Sequence, residues 1–599
     1  MKFMKIFWAA LLAVVVGSIL SGLFWLITLV GIAGSAGTSA TSVMPNSILK
    51  IDFADNITDS PATNPFAGIN FQTMQSTRTL SLLSVLRAID AAATDERIKG
   101  IYLNFNYQGS VSMASLEELR EAIVRFKQSG KFVVAYNDTY PQAAYYFASV
   151  ADKIYLQPQG GVELTGVSST LIFFKGAFDK LGISAEAFRP TVCKYKSAVE
   201  PYILTKMSEP NRRQNQQMCD QMWDVMLTAI AESRGIEKQT LNTIADELSA
   251  MLAEDALNLH LVDGLIYADQ MDDVWAELGV EKGILGNYEM VSLGDYCSVV
   301  GADMKNLSAP KVGIIYAEGQ IVDGDLDNDG QTIYGTSLAQ TIAEARNDES
   351  IKAVVLRVNS PGGSALASDV IWREVELLKA QKPVIVSMGS YAASGGYYIS
   401  APADAIVADR LTLTGSIGVF GMMIEGGDML RNKLGITTDG VKTNSSADFG
   451  ANVLGLQLRK PNAVERKALI RSVDKVYETF TQKVATGRNL PLERVLEIAE
   501  GRVWCGTEAV QIGLADTNGG LHAAIALAAD KAGIADDFRV EEVLGEMSPF
   551  MALMQSLGAQ VSGVLLDSRT LELQREAEQL QQAMMLEGVQ AYCPERVEF

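Results

Sequence analysis

At 599 residues the chain is longer than one hydrophobic core serves, so it divides into several domains. Its 48% hydrophobic and 20% charged residues are ordinary for globular protein, and a net charge of −21 argues against a nucleic-acid partner. Five widely spaced cysteines (Cys193, Cys219, Cys297, Cys505, Cys593) include no Cys-x-x-Cys pair, which excludes a disulfide framework and a cysteine zinc site. No metal-ligand cluster or phosphate-binding glycine loop stands out, so neither a metal nor a cofactor is expected.

Lys2 and Lys5 precede Ile6–Ile32, a run without a charged residue. As a helix it would extend about 40 Å, enough to cross the ~30 Å hydrocarbon layer with some tilt. The run is too long for the apolar core of a cleaved signal peptide, so residues 1–45 are expected to be an uncleaved single-pass anchor and a flexible tether. Lysines before the span and none until Lys50 place the N-terminus in the cytoplasm and the body across the membrane.

From about residue 46 strand-like and helix-like segments alternate, the pattern of an α/β fold. Ser115–Lys127 places Leu116, Leu119, Ile123 and Phe126 at helical spacing. The body then repeats itself. TDERIKGIYLNFN from Thr94 matches NDESIKAVVLRVN from Asn347, an offset of 253 residues, and Lys180-Leu181-Gly182-Ile183 recurs as Lys433-Leu434-Gly435-Ile436. Two copies of one domain are expected, over 46–292 and 311–545, joined by a linker at 293–310 and followed by a helical tail over 546–599.

The chemistry is expected around Ser394. Val384, Ile385 and Val386 read as a buried strand, and the residues from Ala392 onward suit a helix. Ser394 would then stand at the strand-to-helix turn, where Gly395 and Gly396 leave its hydroxyl unobstructed and the Gly395 amide can donate to an oxyanion. Upstream, the apolar run Ala353–Val358 leads into Asn359-Ser360-Pro361-Gly362-Gly363-Ser364, whose backbone amides a ligand oxygen can approach closely. Downstream comes Thr414-Gly415-Ser416-Ile417-Gly418. A serine triad needs imidazole, yet only His260 and His522 exist. His260 falls opposite Gly513 in the repeat and His522 sits in an Ala-rich helical segment, so the base of Ser394 is expected to be another group.

The halves differ where chemistry belongs. In the N-half the counterpart of SYAASGGYY is TYPQAAYYF (Thr139–Phe147), with Gln142 or Ala143 at the nucleophile position, and NSPGGS becomes NYQGSV (Asn106–Val111). Conversely, the N-half alone carries Tyr195-Lys196-Ser197-Ala198-Val199-Glu200-Pro201; Phe449 lies opposite Lys196.

Strand–NSPGG, strand–SGG–helix and TGSIG in this order resemble the Clp-protease/crotonase fold. Together with the lysine segment they resemble more closely the signal peptide peptidase A (protease IV) family in its two-repeat form, over residues 46–545. The resemblance implies a serine peptidase with Ser394 as nucleophile, Lys196 as general base and Ser416 holding the lysine, the oxyanion being met by Gly395, Gly362 and Gly363. Desolvation between the halves would disfavour the lysine's charged form, with Lys194 as a further local cation. The resemblance further implies a bacterial inner-membrane protein with its body in the periplasm, cutting signal peptides and other unfolded hydrophobic peptides, and a homo-oligomer, a tetramer, around an enclosed cavity. Two rival readings of the same motifs are an acyl-CoA-processing crotonase and a non-catalytic membrane scaffold.

Overall fold

The computed structural model describes residues 43–61, 69–70, 75–76, 78–105, 110–302, 308–326, 332–545 and 589–592. The apolar run at 6–32, most of the tail, and residues 106–109 of the N-half loop lie outside the described residues. Among the described residues no helix is long and apolar enough to cross a membrane.

The N-half builds a parallel sheet from β1 (Ser47–Ile51), β2 (Ile98–Leu103), β3 (Phe132–Asn137), β4 (Lys153–Leu156), β5 (Gly264–Leu265) and β6 (Met290–Ser292), in the order β5-β4-β3-β2-β1-β6. Its helices α1 (Leu82–Thr94) and α2 (Met113–Lys127) are started by Ser81 and Ser112, whose hydroxyls accept from the amides of Ser84 and Ser115, each at 3.2 Å. Helix α2 buries the expected stripe of Leu116, Leu119, Ile123 and Phe126 and opens two residues earlier than predicted.

The C-half repeats the plan with β7 (Lys311–Glu318), β8 (Ile351–Ser360), β9 (Val384–Ala393), β10 (Ala405–Ala408), β11 (Thr517–Asn518) and β12 (Arg539–Glu542). The path β11-β10-β9-β8-β7-β12 follows the N-half order strand for strand. This sheet has an addition: β13 (Leu413–Gly415) lies beside the far end of β9, and β14 (Val503–Cys505) pairs antiparallel with it. These strands carry the chain toward the site.

A third sheet joins the halves. In it β15 (Gly362–Ser364) and β16 (Phe420–Glu425) flank β17 (Val589–Tyr592), and the N-half strand Ser184–Phe188 runs antiparallel along β16. The core is also shared: residues of β1–β4 and α1–α2 pack in one cluster with Val312, Ile314, Val355, Ile385 and Val407 of the second sheet. At this seam Arg357 of β8, fully buried, pairs with Asp59 at 2.6 Å and Glu118 at 2.7 Å, both from the N-half, and donates to Ser387 Oγ at 2.8 Å. Removing one partner of such a buried pair costs about 3–5 kcal/mol, so the network fixes how the halves meet.

Three sequence expectations differ from the structure. Within the tail expected to be helical over 546–599, the described residues 589–592 form the strand β17, held by pairing with β15 and β16. The stretch at 293–310, expected as a linker, begins with a helix at Leu293–Ala302 that buries Leu293, Tyr296 and Cys297 in the N-half core. The strand carrying Ser394 runs on through Gly389-Ser390 to Ala393, and the helix starts only at Gly395. The cause is pairing: β13 lies in register with Tyr391, Ala392 and Ala393 and supplies a ladder to a stretch whose local composition suits a turn.

Candidate active site

Ser394 stands between β9 and the short helix α3 (Gly395–Ser400), in a backbone conformation of φ 55° and ψ −112°. A non-glycine residue held there stores about 1–3 kcal/mol of strain, sustained by the surrounding bonds. Its amide donates to Gly415 O at 2.8 Å and its carbonyl accepts from Tyr398 N at 2.8 Å. Gly396 is needed behind it, since a Cβ would come within 2.5 Å of the Ser360 carbonyl. Gly395, the first helical residue, has an amide without a partner inside the helix.

Lys196 reaches this serine from the other half. Its Nζ lies 2.7 Å from Ser394 Oγ, 2.9 Å from Ser416 Oγ and 3.2 Å from Ser416 O. Lys196, Ser394 and Ser416 are all buried, the lysine 1% exposed despite its length. The valences fit two protonation states. An ammonium can donate to all three oxygens; a neutral amine can donate to the two Ser416 oxygens and accept from the Ser394 hydroxyl. The Ser416 hydroxyl has an acceptor in Gly501 O at 3.4 Å, and Ser416 itself is held at φ 47° with its amide on Arg502 O at 2.7 Å.

The segment 500–503 lies between the two serines' strands and the lysine. Tyr195 N donates to Glu500 O at 3.1 Å, and Gly501 (φ 77°) lies so close that a Cβ there would stand 2.7 Å from Lys196 Cβ. Nothing in the sequence around Gly501 marks it as part of a site; it is brought there by β14.

The other expected residues divide. Gly362 and Gly363 belong to β15 beside the nucleophile; the Gly362 amide donates to Ser360 Oγ at 3.1 Å, and Gly363 pairs with Ile321 and Ala591. Lys194 does not turn toward Lys196 as a bare cation: its Nζ pairs with Glu500 at 2.9 Å and its side chain is 55% exposed. Solvent and the carboxylate screen it. Cys193 is buried beside the site, and burial pushes its thiol up to about 11 despite the opposing effect of Lys196, so it stays a neutral thiol at pH 7. His522 lies on the helix Leu521–Lys531, and His260 follows the helix Ala253–Asn258 in a turn whose carbonyl accepts from Arg234. Among the described residues no group of acidic, His or Cys side chains is placed to hold a metal ion.

Comparison with known proteins gives the arrangement a kinship. Residues 125–282 and 376–535 each match "Peptidase family S49", the first stretch containing Lys196 and the second Ser394 and Ser416. The chain is 37% identical over 461 residues to Protease 4 of Haemophilus influenzae, covering 75% of this chain and 72% of that protein. It is 36% identical over 502 residues to Protease 4 of Salmonella typhi, covering 81% and 78%. A chloroplastic serine protease SPPA of Arabidopsis thaliana is 32% identical over 521 residues, covering 86% and 74%. Two repeats, kinship over most of the length and a serine held in a strained turn lead to one conclusion: the chain belongs to peptidase family S49 and is a serine peptidase of the two-repeat signal peptide peptidase A type.

Proposed function

We propose that the protein is a membrane-anchored endopeptidase with a Ser394/Lys196 dyad, degrading signal peptides left in the membrane after export and other unfolded hydrophobic peptides. The observation that carries the reading is the 2.7 Å contact between Lys196 Nζ and Ser394 Oγ inside a buried, two-half site. Burial disfavours an ammonium, so the amine can take the Ser394 proton as Oγ attacks the scissile carbonyl. The Ser416 oxygens aim the lysine. The Gly395 amide faces the developing oxyanion, a contribution of about 3–4 kcal/mol per donor in comparable sites. Gly362 would have to exchange its Ser360 bond to join it. The lysine then protonates the departing amine, and water attacks the acyl ester by the same route reversed.

An extended peptide pairing with β15 and β16 would take the ladder position that β17 holds, with main-chain bonds giving affinity without demanding a particular sequence. Anchoring through residues 6–32 would keep the site near its substrates, with the body in the periplasm of the inner membrane. For assembly into a homo-oligomer, proposed to be a tetramer, the supporting feature is the arm at 433–455, where Leu434, Ile436, Leu454 and a fully exposed Val441 present apolar surface uncovered by the described residues.

The test is digestion. Protein in detergent should cut a leucine-rich signal peptide much faster than a charged, polar peptide of equal length, and Ser394→Ala and Lys196→Ala should each abolish cutting. The double variant should be scarcely worse than either single, because residues acting as a unit are non-additive. Equal rates on the two peptides would refute the substrate class; activity in folded Lys196→Ala would refute the dyad.

A further inference from the structure

A lysine base shared between two halves must be held in register by something that grips both. Lys196 lies in an irregular loop, and its neighbours' polar groups have to be satisfied in a buried setting. Gln214 occupies this position. It stands on the second turn of helix α4 (Glu209–Arg234) and is 1% exposed. Its Nε2 donates to Tyr195 O at 3.3 Å and to Ser197 Oγ at 2.9 Å, the residues on either side of Lys196. Its Oε1 accepts from Val503 N at 3.2 Å, at the start of β14 in the other half.

Val503 is paired with Gly415, and the preceding Arg502 O receives the amide of Ser416. One side-chain amide therefore fastens the lysine loop to the strands that carry its partner serine. Helix α4 is itself tied to that loop, since Glu200 accepts from Ser208 N, Ser208 Oγ and Asn211 Nδ2 at 2.5–3.0 Å. Gln217, one turn on, bonds to the side chains of Arg502 and Glu508, and among the described residues it makes no hydrogen bond to the lysine loop.

The geometry points to Gln214 as the positioning residue of the catalytic lysine, a clamp between the halves that sets Lys196 against Ser416 and Ser394. This rests on Lys196 being the base. The clamp needs donors on one end and an acceptor on the other, which only an uncharged amide of this length supplies. A small displacement of a reacting group can cost about 100-fold in rate, so the clamp acts on the chemical step and leaves peptide binding alone.

The experiment compares Gln214→Met, Gln214→Glu, Gln217→Met and Ser197→Ala in the full chain, with kcat, KM and the pH profile for a signal-peptide substrate. Gln214→Met should lose about 10- to 100-fold in kcat with KM within about twofold. Gln214→Glu puts an anion beside the lysine loop and should move the rising limb of activity up by about one pH unit. Gln217→Met should leave both kcat and the limb unchanged. Should the Gln214 variants fail to fold, Ser197→Ala decides, as it removes one clamp bond with minimal change: a several-fold fall in kcat at constant KM supports the clamp, wild-type kcat overturns it. Wild-type kcat in folded Gln214→Met overturns it too, as does an unmoved limb in Gln214→Glu. Lys196→Met is run alongside: if it stays active the dyad itself fails, whereas its loss with intact Gln214→Met activity removes only the clamp.

Discussion

The two halves keep the same scaffold bonds and differ at the turn that follows their third strand. Tyr145 Oη donates to Leu261 O and Tyr397 Oη to Leu514 O, both at 2.8 Å. Ile154 N donates to Asp263 and Ile406 N to Asp516; Lys131 ties the carbonyls of Ala92 and Asp95, and Lys382 those of Ala345 and Asp348. Counting from the paired tyrosines, Gln142 stands where Ser394 stands. Its side chain is spent on scaffolding: Oε1 accepts from Thr165 N at 2.9 Å and Gly166 N at 2.8 Å, and Nε2 donates to Gly166 O at 2.8 Å. One copy has a buried glutamine that staples the backbone at this position and carries Lys196; the other has the strained serine there and an exposed Phe449 opposite the lysine. Under the proposed dyad the catalytic set is divided between the two copies, and neither half is complete alone.

Substitutions at matched positions should separate these roles. Ser394→Ala should lower kcat/KM by at least about 1,000-fold with an unchanged melting temperature. Gln142→Ala should do the reverse: activity within about twofold, but a loss of about 1–3 kcal/mol in urea unfolding, because three hydrogen bonds to partly buried backbone groups are lost. Loss of activity in Gln142→Ala without loss of stability would break the comparison. At the seam, Glu318 accepts from Ser60 N at 2.9 Å and Ser60 Oγ at 2.6 Å, and burial, aided by Asp59, lifts its carboxyl to about 7. The folded state therefore binds more protons than the unfolded one between about pH 4.3 and 7, and stability falls as pH rises through that window. Glu318→Gln should remove this fall, gaining about 1–3 kcal/mol at pH 8 relative to wild type and little at pH 5, read from melting curves at both pH values. The smallest effect belongs to Lys194. Paired with Glu500 and exposed, it should on replacement by Met change kcat/KM by under about twofold and leave the activity limb in place.

Much of this was legible in the sequence because duplication writes the same instructions twice. The 253-residue offset predicts two copies of one domain, and the two sheets do share one strand order; the mismatch between SYAASGGYY and TYPQAAYYF leaves the N-half without a serine at that turn. Local composition misled where long-range pairing prevails, as at Gly389–Ala393, where β13 extends a strand that reads as a turn. The same limit hid the partners of charged and amide side chains. Lys194 looked like a free neighbour of Lys196 because Glu500 is remote in the chain, and Gln214 and Gly501 carry no motif; only the fold brings them to the lysine. The helix Leu293–Ala302 reads as linker for a different reason, since its small residues mask three that the core buries.

In the proposed mechanism an amine from one half activates a hydroxyl from the other. This is tested most directly by the pH dependence of labelling with a fluorophosphonate, which reports the reactivity of Ser394 without peptide binding. Wild-type protein should be labelled at Ser394 with a rate that rises along a limb well below the value of about 10.4 expected for exposed lysine. His260→Gln and His522→Gln should keep that limb, and folded Lys196→Met should lose labelling by about 1,000-fold or more. Labelling of Lys196→Met at the wild-type rate, or a limb that vanishes with either histidine, would contradict it.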